Sequence, residues 1–404
     1  MSVLDNQVIR QCLSYLPLQD FVAPILDYRK QKLKTVNVLK IAIAGQLLKS
    51  ESLGAIENLI RSDSGFHEEF GLTSISKSTL SRRINDLPED IPQALFHAVV
   101  QRIQEHSSPA PKRKSQPLAI VDSTNIRLPF NLADWAHVTQ HRSGVKVHTR
   151  LMVVDQKTPY PDKIVPSTGN VSDYEGADPL VVDRGVLYVM DRGYVCYKRM
   201  QRWVTDHIDF VIRVNAHHYA EIVEEHTVPD SDSFIQRDAT VRMGNNLKTT
   251  MKSELRLIEF HDDQGRFYRL ATTRWDLTAK EITDIYRQRW LIELFFKWMK
   301  QHLRFAKLYS HQPDAVWNHI FLALVTFGLT YLVKLETKSE KTLWNVLELI
   351  RLYAFKLWSD LEKELYRTPS KPSKGRQKKD APSPKKAGPS DVALVKVSKR
   401  TRKR

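Results

Sequence analysis

Cysteine is scarce in this chain. Cys12 and Cys196 are the two present in 404 residues, far apart and in no CxxC pair. That leaves no disulfide framework and no thiolate zinc site to consider, and a reducing compartment fits. A GxxxxGK[ST] loop is missing too, so ATP-driven action is not indicated. The longest apolar run, Ile320–Val333 (IFLALVTFGLTYLV), falls short of the roughly 20 residues that cross a bilayer and reads as a buried helix of a core. The opening residues, MSVLDNQVIRQCLSYLPLQDF, show no basic-then-apolar signal pattern. These absences lead us to expect a cytoplasmic protein with no membrane partner. Repeats of solenoid period are absent as well.

Positive charge is abundant. The net charge is +16 with a pI near 9.6, which points to a polyanion, nucleic acid ahead of membrane. The excess is uneven, however. Residues 367–404 hold 14 Lys+Arg against two Asp, while the rest of the chain holds 48 basic against 44 acidic residues. The basic character therefore belongs mostly to a Lys-, Pro- and Ser-rich tail, expected to be disordered and to bind DNA without sequence preference.

Along the chain the hydrophobic period changes. Residues 1–110 read as helical, with apolar residues at helical spacing over Val36–Ile60. Within this region Gly71–Asn85 combines a short turn, a Ser/Thr-rich helix start and the pair Arg82–Arg83. It resembles a helix-turn-helix recognition element, which makes both arginines candidate DNA contacts. The Pro/Ser/Lys stretch Ser107–Ser115 reads as a linker. From Pro117 short apolar runs suggest strands. Leu118–Val121 closes on Asp122-Ser-Thr-Asn, Lys146–Val154 follows, and Val186–Met190 closes on Asp191-Arg-Gly-Tyr. Between 209 and 275 the segments FVIRV, ATVRM, LRLIEF and FYRLATT are strand candidates, with Asp262-Asp-Gln-Gly265 as a hairpin turn. Thr278-Ala-Lys-Glu281 is a capping box that starts a long helix. Apolar helices continue to about Glu364.

That long helix carries Tyr286, Arg289, Glu293 and Lys300 at offsets 0, 3, 7 and 14. At 3.6 residues per turn the four fall within roughly 60° of arc. The neighbouring edge, with Trp290, Leu291, Leu294, Phe295 and Trp298, is apolar and is expected to face a core. Two strands ending in Asp and a helix presenting Glu could supply the oxygen ligands that Mg²⁺ takes. Two such ions about 3.5–4 Å apart can hold the attacking and leaving oxygens of a phosphoryl displacement. Asp183 and Asp155 compete for the place of second acid. Asp191 is preferred because it closes the better strand, whereas Asp155 reads as a hairpin turn. Lys146 and His148 lie on a strand face that could approach DNA. His137 and His141 lack the geometry of a zinc site, and His217–His218 reads as surface.

The spacing Y-x2-R-x3-E-x6-K, filled by Tyr286, Arg289, Glu293 and Lys300, resembles the signature of the IS-four family of insertion-sequence transposases. The Asp122-Ser-Thr and Asp191-Arg-Gly-Tyr194 segments resemble that family's other two acidic motifs, and the likeness covers most of residues 1–330. It implies an α/β fold: a helical N-terminal DNA-binding domain (1–110), an RNase H-like catalytic core in two parts (117–208 and 276–364) and a β-rich insertion (209–275); the basic tail (367–404) lies outside the likeness. It further implies a catalytic triad of Asp122, Asp191 and Glu293 with two Mg²⁺ or Mn²⁺ ions. Tyr286, Arg289 and Lys300 would touch phosphates near the cleaved end. The partners would be double-stranded DNA, as terminal inverted repeats and as target, and a second copy of the chain. The implied reaction is hydrolysis at the transposon ends followed by strand transfer, a cut-and-paste route. Better-known members use a DNA hairpin with a flipped base held by an aromatic of the insertion, and Trp275, Tyr268 and Phe267 are the candidates here. Two alternatives are a DNA-binding protein that keeps the fold without the chemistry, and a nuclease with the same core.

Overall fold

Apolar runs without alternation mark strands buried on both faces, and four residues, Leu118–Val121, begin the sheet in that way. A computed structural model of the chain describes residues 6–30, 32–107, 116–154, 159–229, 233–245 and 250–368. Most of the expected linker (108–115), Asp155 and the expected tail from 369 onward lie outside the described residues.

The strands are β1 (Leu118–Leu128), β2 (His137–Thr139), β3 (Arg142–Val153), β4 (Tyr160–Thr168), β5 (Leu187–Met190), β6 (Asp209–Arg213), β7 (Ala220–Glu225), β8 (Ile235–Met243), β9 (Leu255–His261) and β10 (Phe267–Thr272). They form one mixed sheet in the order β2-β3-β1-β5-β6-β10-β9-β8-β7, with β4 also paired to β3. β1, β3 and β4 run antiparallel in succession, whereas β5 and β6 run parallel to β1. The fold is thus mixed α/β around a large mixed sheet. The turn at Asp262–Gly265 joins β9 and β10, and Gly265 takes the left-handed backbone (φ 74) that such a turn needs.

Both faces are covered. Leu118, Ile120, Leu187, Val189, Val211 and Leu270 pack into one hydrophobic cluster. Their alternates Ala119, Val121, Tyr188, Met190, Ile212 and Ala271 pack into another on the opposite side. This two-sided burial explains why β1 and β5 begin as continuous apolar runs.

Seven helices precede the sheet among the described residues: α1 (Val8–Ser14), α2 (Pro24–Asp27), α3 (Thr35–Leu47), α4 (Leu53–Ser62), α5 (Ser64–Phe70), α6 (Lys77–Asn85) and α7 (Asp90–His106). Side-chain caps from Ser52, Asp63 and Ser76 start α4, α5 and α6. The short α8 (Asp173–Gly176) and α9 (Tyr197–Thr205) lie between strands. α10 (Ala279–Arg287), α11 (Trp290–His302), α12 (Pro313–Glu336), α13 (Leu343–Tyr353) and α14 (Trp358–Tyr366) follow them. α12 is longer than its apolar run, 24 residues, and by length and composition could cross a bilayer, yet 94% of its apolar window is buried inside the fold. It runs against α7 so closely that Gly328 leaves no room for a methyl beside Val99. Asn318 ties it to the end of α6 by donating to the Leu87 carbonyl (2.6 Å). The N-terminal helices and α12 therefore share one core, and residues to Tyr366 pack as one unit.

The helix expected to run unbroken through Glu293 is two helices. The Thr278–Glu281 capping box does start α10. The chain then tightens at Gln288 and Arg289, where Gln288, Arg289, Leu291 and Ile292 donate to carbonyls three residues back. The apolar edge is also placed differently. Ile292, Phe295, Phe296 and Met299 are buried, but Trp290 and Leu294 are 57% and 44% exposed.

Candidate active site

Parallel pairing sets two of the acids side by side. The last parallel pair between β1 and β5 is Val121↔Met190. Asp122 and Asp191 come next, Asp122 within β1 where its parallel pairing stops and Asp191 just past β5; the expected polar loop Asp122–Asn125 is strand, held by pairing to β3. β1 continues beyond Asp122, paired to β3 alone. Glu293 comes from the first turn of α11. All three acids line one open cleft of about 560 Å³, together with Arg289, Lys297 and Lys300.

The acids are held differently. Asp122 is mostly buried. Its Oδ1 accepts the Ser123 N–H (2.7 Å) and its Oδ2 faces Arg289 Nη1 (3.4 Å). Burial pushes its carboxyl up to about 7, with Asp191 and Asp173 adding to the rise and the Ser123 N–H and Arg289 opposing it. Asp191 caps the turn Arg192–Tyr194, its Oδ1 accepting the Gly193 N–H (2.7 Å). A Cβ at Gly193 would lie 3.1 Å from Asp191 Oδ1 and 3.2 Å from Asp173 Oδ2, so glycine keeps that turn open. Glu293 pairs with Arg289 Nη2, and Arg289 thereby bridges Asp122 and Glu293. Burial works against the Arg289 cation, but its bond to Glu293 and the nearby charges leave its pKa raised.

The other two signature residues do not pair with the acids: Lys300 lines the acid cleft and Tyr286 the cavity beside it. Lys300 donates to Thr124 Oγ1 (2.6 Å) and the Asn125 carbonyl (3.4 Å), and burial lowers its pKa. Tyr286 is buried, its ring edge-on to Tyr268 at 6.2 Å, and burial pushes its phenol up to about 12. It lines a neighbouring cavity of about 310 Å³ with Arg213, Tyr268, Arg266 and Trp290, and Arg289 forms a wall of both cavities. Of the aromatic candidates in 209–275, Tyr268 lines this second cavity with Arg213 stacked over its ring at 4.2 Å. Phe267 is 38% exposed, and Trp275 is 49% exposed beside His226.

Several expectations are corrected by burial. Arg83 does not face solvent. It is 7% exposed and donates to the Leu26 and Leu33 carbonyls and to Asp27 (2.8 Å), leaving Arg82 as the exposed member of the pair. A buried guanidinium with its donors engaged is a clamp between segments and does not reach DNA. Lys146 and His148 do not form an exposed strand face. Lys146 donates to the Val171 carbonyl (2.7 Å) and Asp173 (3.1 Å). His148 is wholly buried under Gly176, where a methyl would overlap its ring, and burial together with Lys146 pulls its pKa down to about 4. His218 is engaged by Tyr197 (2.7 Å). Asp183 is taken up by Arg150 and by Lys163 (3.1 Å).

One further acid adjoins the cleft acids without any local sequence signal of it: Asp173 begins α8 and accepts from Ser123 Oγ (2.7 Å) and Lys146. Tyr194, buried beneath, has its phenol raised by burial and by Asp122, Asp173 and Asp191. The Ser172–Glu175 capping box was legible as a helix start, but its approach to β1 is a long-range fact.

The donor set suits a hard divalent ion: three carboxylates share a cleft, and a cationic group already spans two of them. Among the described residues no three acidic, His or Cys side chains stand close enough to hold an ion without moving.

The family model described as "Transposase DDE domain" matches residues 113–328, more than half of the chain and every acid of the cleft. The chain belongs to that family. Among its relatives, one named as a probable transposase for insertion sequence element IS5377 of Geobacillus stearothermophilus is 30% identical over 277 residues, 67% of this chain and 71% of the relative. A second, named for insertion sequence element IS4SA of Synechocystis sp., is 22% identical over 86% of this chain and 94% of its own length. Among solved structures, a piggyBac transposase synaptic complex with hairpin DNA aligns with a TM-score of 0.45 and 10% identity, covering 90% of this chain and 82% of that one.

Proposed function

We propose that the protein cleaves DNA at transposon ends and transfers the freed strand into target DNA, with Asp122, Asp191 and Glu293 as its acidic triad. The observation that carries this reading is the common cleft, in which carboxylates from two adjacent parallel strands and from α11 meet beside Arg289, Lys297 and Lys300. The strand order β4-β3-β1-β5-β6, three antiparallel strands followed by two parallel ones, supports an RNase H-like core, with β7 to β10 as the insertion. The names of the relatives support transposition over a host nuclease.

Asp122, Asp191 and Glu293 would hold Mg²⁺ or Mn²⁺, which when bound polarises the phosphoryl group and lowers the pKa of water. The chain's own residues supply position. Ser123 and Gly193 N–H groups aim the two aspartates. Thr124 and the Asn125 carbonyl fix the Lys300 ammonium at the cleft wall, where it meets phosphate as a point charge, and Arg289 adds a two-pronged donor. Tyr268 lies between Arg213 and Phe260, so Phe267 and Trp275 are the aromatics of the insertion with a face exposed for an unstacked base. A second copy would bring the other transposon end.

The test is incubation of the purified chain with end-bearing DNA and Mg²⁺ beside Glu293→Gln. Nicking and joining by the wild type alone are expected, and equal nicking by both proteins would remove Glu293 from the triad. Cutting without joining would favour the nuclease.

A further inference from the structure

We propose that Arg289 and the divalent ion compete for Asp122 and Glu293, so that loading the metal releases Arg289 to grip a DNA phosphate. This rests on the reading that these acids hold metal.

Three observations converge on it. First, the guanidinium occupies oxygens that an ion would take. Asp122 has Oδ1 on the Ser123 N–H and Oδ2 toward Arg289, while Glu293 pairs with the same guanidinium. An ion approaching this pair of carboxylates meets Arg289 between them. Second, Arg289 is the signature cation that pairs with the acids. Lys300 lines the same cleft but donates to Thr124 and the Asn125 carbonyl. Arg289 sits at the α10–α11 junction, where the backbone is held by short-range bonds in place of a continuous helical ladder. Third, it has somewhere to go. Its side chain is a wall of both the acid cleft and the cavity lined by Arg213, Tyr268, Tyr286 and Trp290. Rotating from one to the other takes the guanidinium off the carboxylates without exposing it fully.

The competition has a chemical logic. In this partly open cleft a divalent charge attracts the same carboxylate oxygens more strongly than a monovalent one. The freed guanidinium then offers its fork to phosphate. Metal and DNA thereby assist one another: metal removes the carboxylates from Arg289, and phosphate removes Arg289 from the carboxylates. Coupling of this kind is reciprocal.

The test is a calorimetric titration with Mn²⁺ alone, without DNA, of the full chain and of Arg289→Gln and Lys300→Gln. Competition predicts that Arg289→Gln binds Mn²⁺ about tenfold more tightly than wild type, because the ion no longer has to displace a cation. Lys300→Gln, which removes an equal charge from the same cleft wall, should change affinity by less than about threefold. Equal tightening in both variants would reduce the effect to general electrostatics and overturn the proposal. Unchanged or weaker binding by Arg289→Gln would also overturn it. Neither result touches the cleavage reading, which is judged by Glu293→Gln in the nicking assay.

Discussion

Asp122 and Asp191 are register neighbours: each follows the last residue of a parallel pair, Val121 on β1 and Met190 on β5. Their adjacency comes from backbone pairing, so it survives loss of the side-chain charge. Asp191→Asn is therefore expected to fold normally and bind end DNA, while cleavage falls by more than about 10³-fold, as when a group acting only in the transition state is removed. Asp183→Asn should do the reverse, because Asp183 is held by Arg150 and Lys163 outside the cleft. Its cleavage should stay within about threefold of wild type while stability drops by about 1–3 kcal/mol. Parallel nicking assays and thermal melts decide. Loss of cleavage in Asp183→Asn with Asp191→Asn still active would reverse the assignment.

The neighbouring arginines of α6 should separate binding from stability. Arg83→Ala removes the cation from the partly buried Asp27, which keeps only its Thr35 donors, and is expected to cost about 1–3 kcal/mol, several degrees in Tm. Arg82→Ala should leave Tm unchanged and weaken DNA binding, lowering the salt slope by about one if it touches a phosphate. Equal melting temperatures for the two variants would contradict the clamp.

Asp122 sets a pH signature. Its folded pKa of about 7 lies above the ordinary 3.8, so the native state holds a proton that the unfolded chain releases in between. The stability this contributes is complete below about pH 4 and is lost as pH rises through 7. Asp122→Asn should thus raise Tm at pH 8 and leave it nearly unchanged at pH 4. Three units correspond to at most about 4 kcal/mol, less whatever the amide loses beside Arg289. A lower Tm for the variant at pH 8 would mean that the Arg289 pairing outweighs burial.

Gly176 locks α8 onto the sheet. Because a methyl there overlaps the buried His148 ring, Gly176→Ala is expected to destabilise by about 1–3 kcal/mol. Gly176→Ala combined with His148→Ala should recover part of the loss. Urea denaturation of the three variants measures this, and simple additivity would exclude the contact.

What was legible in the sequence was local. Asp191 at a strand end, the Thr278 capping box and the Asp262–Gly265 turn are each written in a few consecutive residues, and each forms, whereas Asp122 lies within a strand that runs on to Leu128. What escaped depends on distant partners. Arg83 reads as exposed until Leu26, Asp27 and Leu33 come to meet it. Lys146 reads as free until Asp173 arrives from another element. The tightening at Gln288–Arg289 carries no Pro or Gly to announce it. It follows that Trp290 and Leu294 could not be assigned to solvent from a helical wheel drawn through the break.

β6 is hydrogen-bonded to β5 on one side and β10 on the other. The long detour of chain between the second and third acids is thus spliced into the ladder and does not hang from it as an appendage. Cutting it out would strip β6 of a neighbour and bare an apolar edge, an invitation to aggregate. Lengthening or shortening is better tolerated at the far end, where β7 is already exposed. The sheet therefore tells an engineer, or natural variation, where this protein can change length and where it must stay whole.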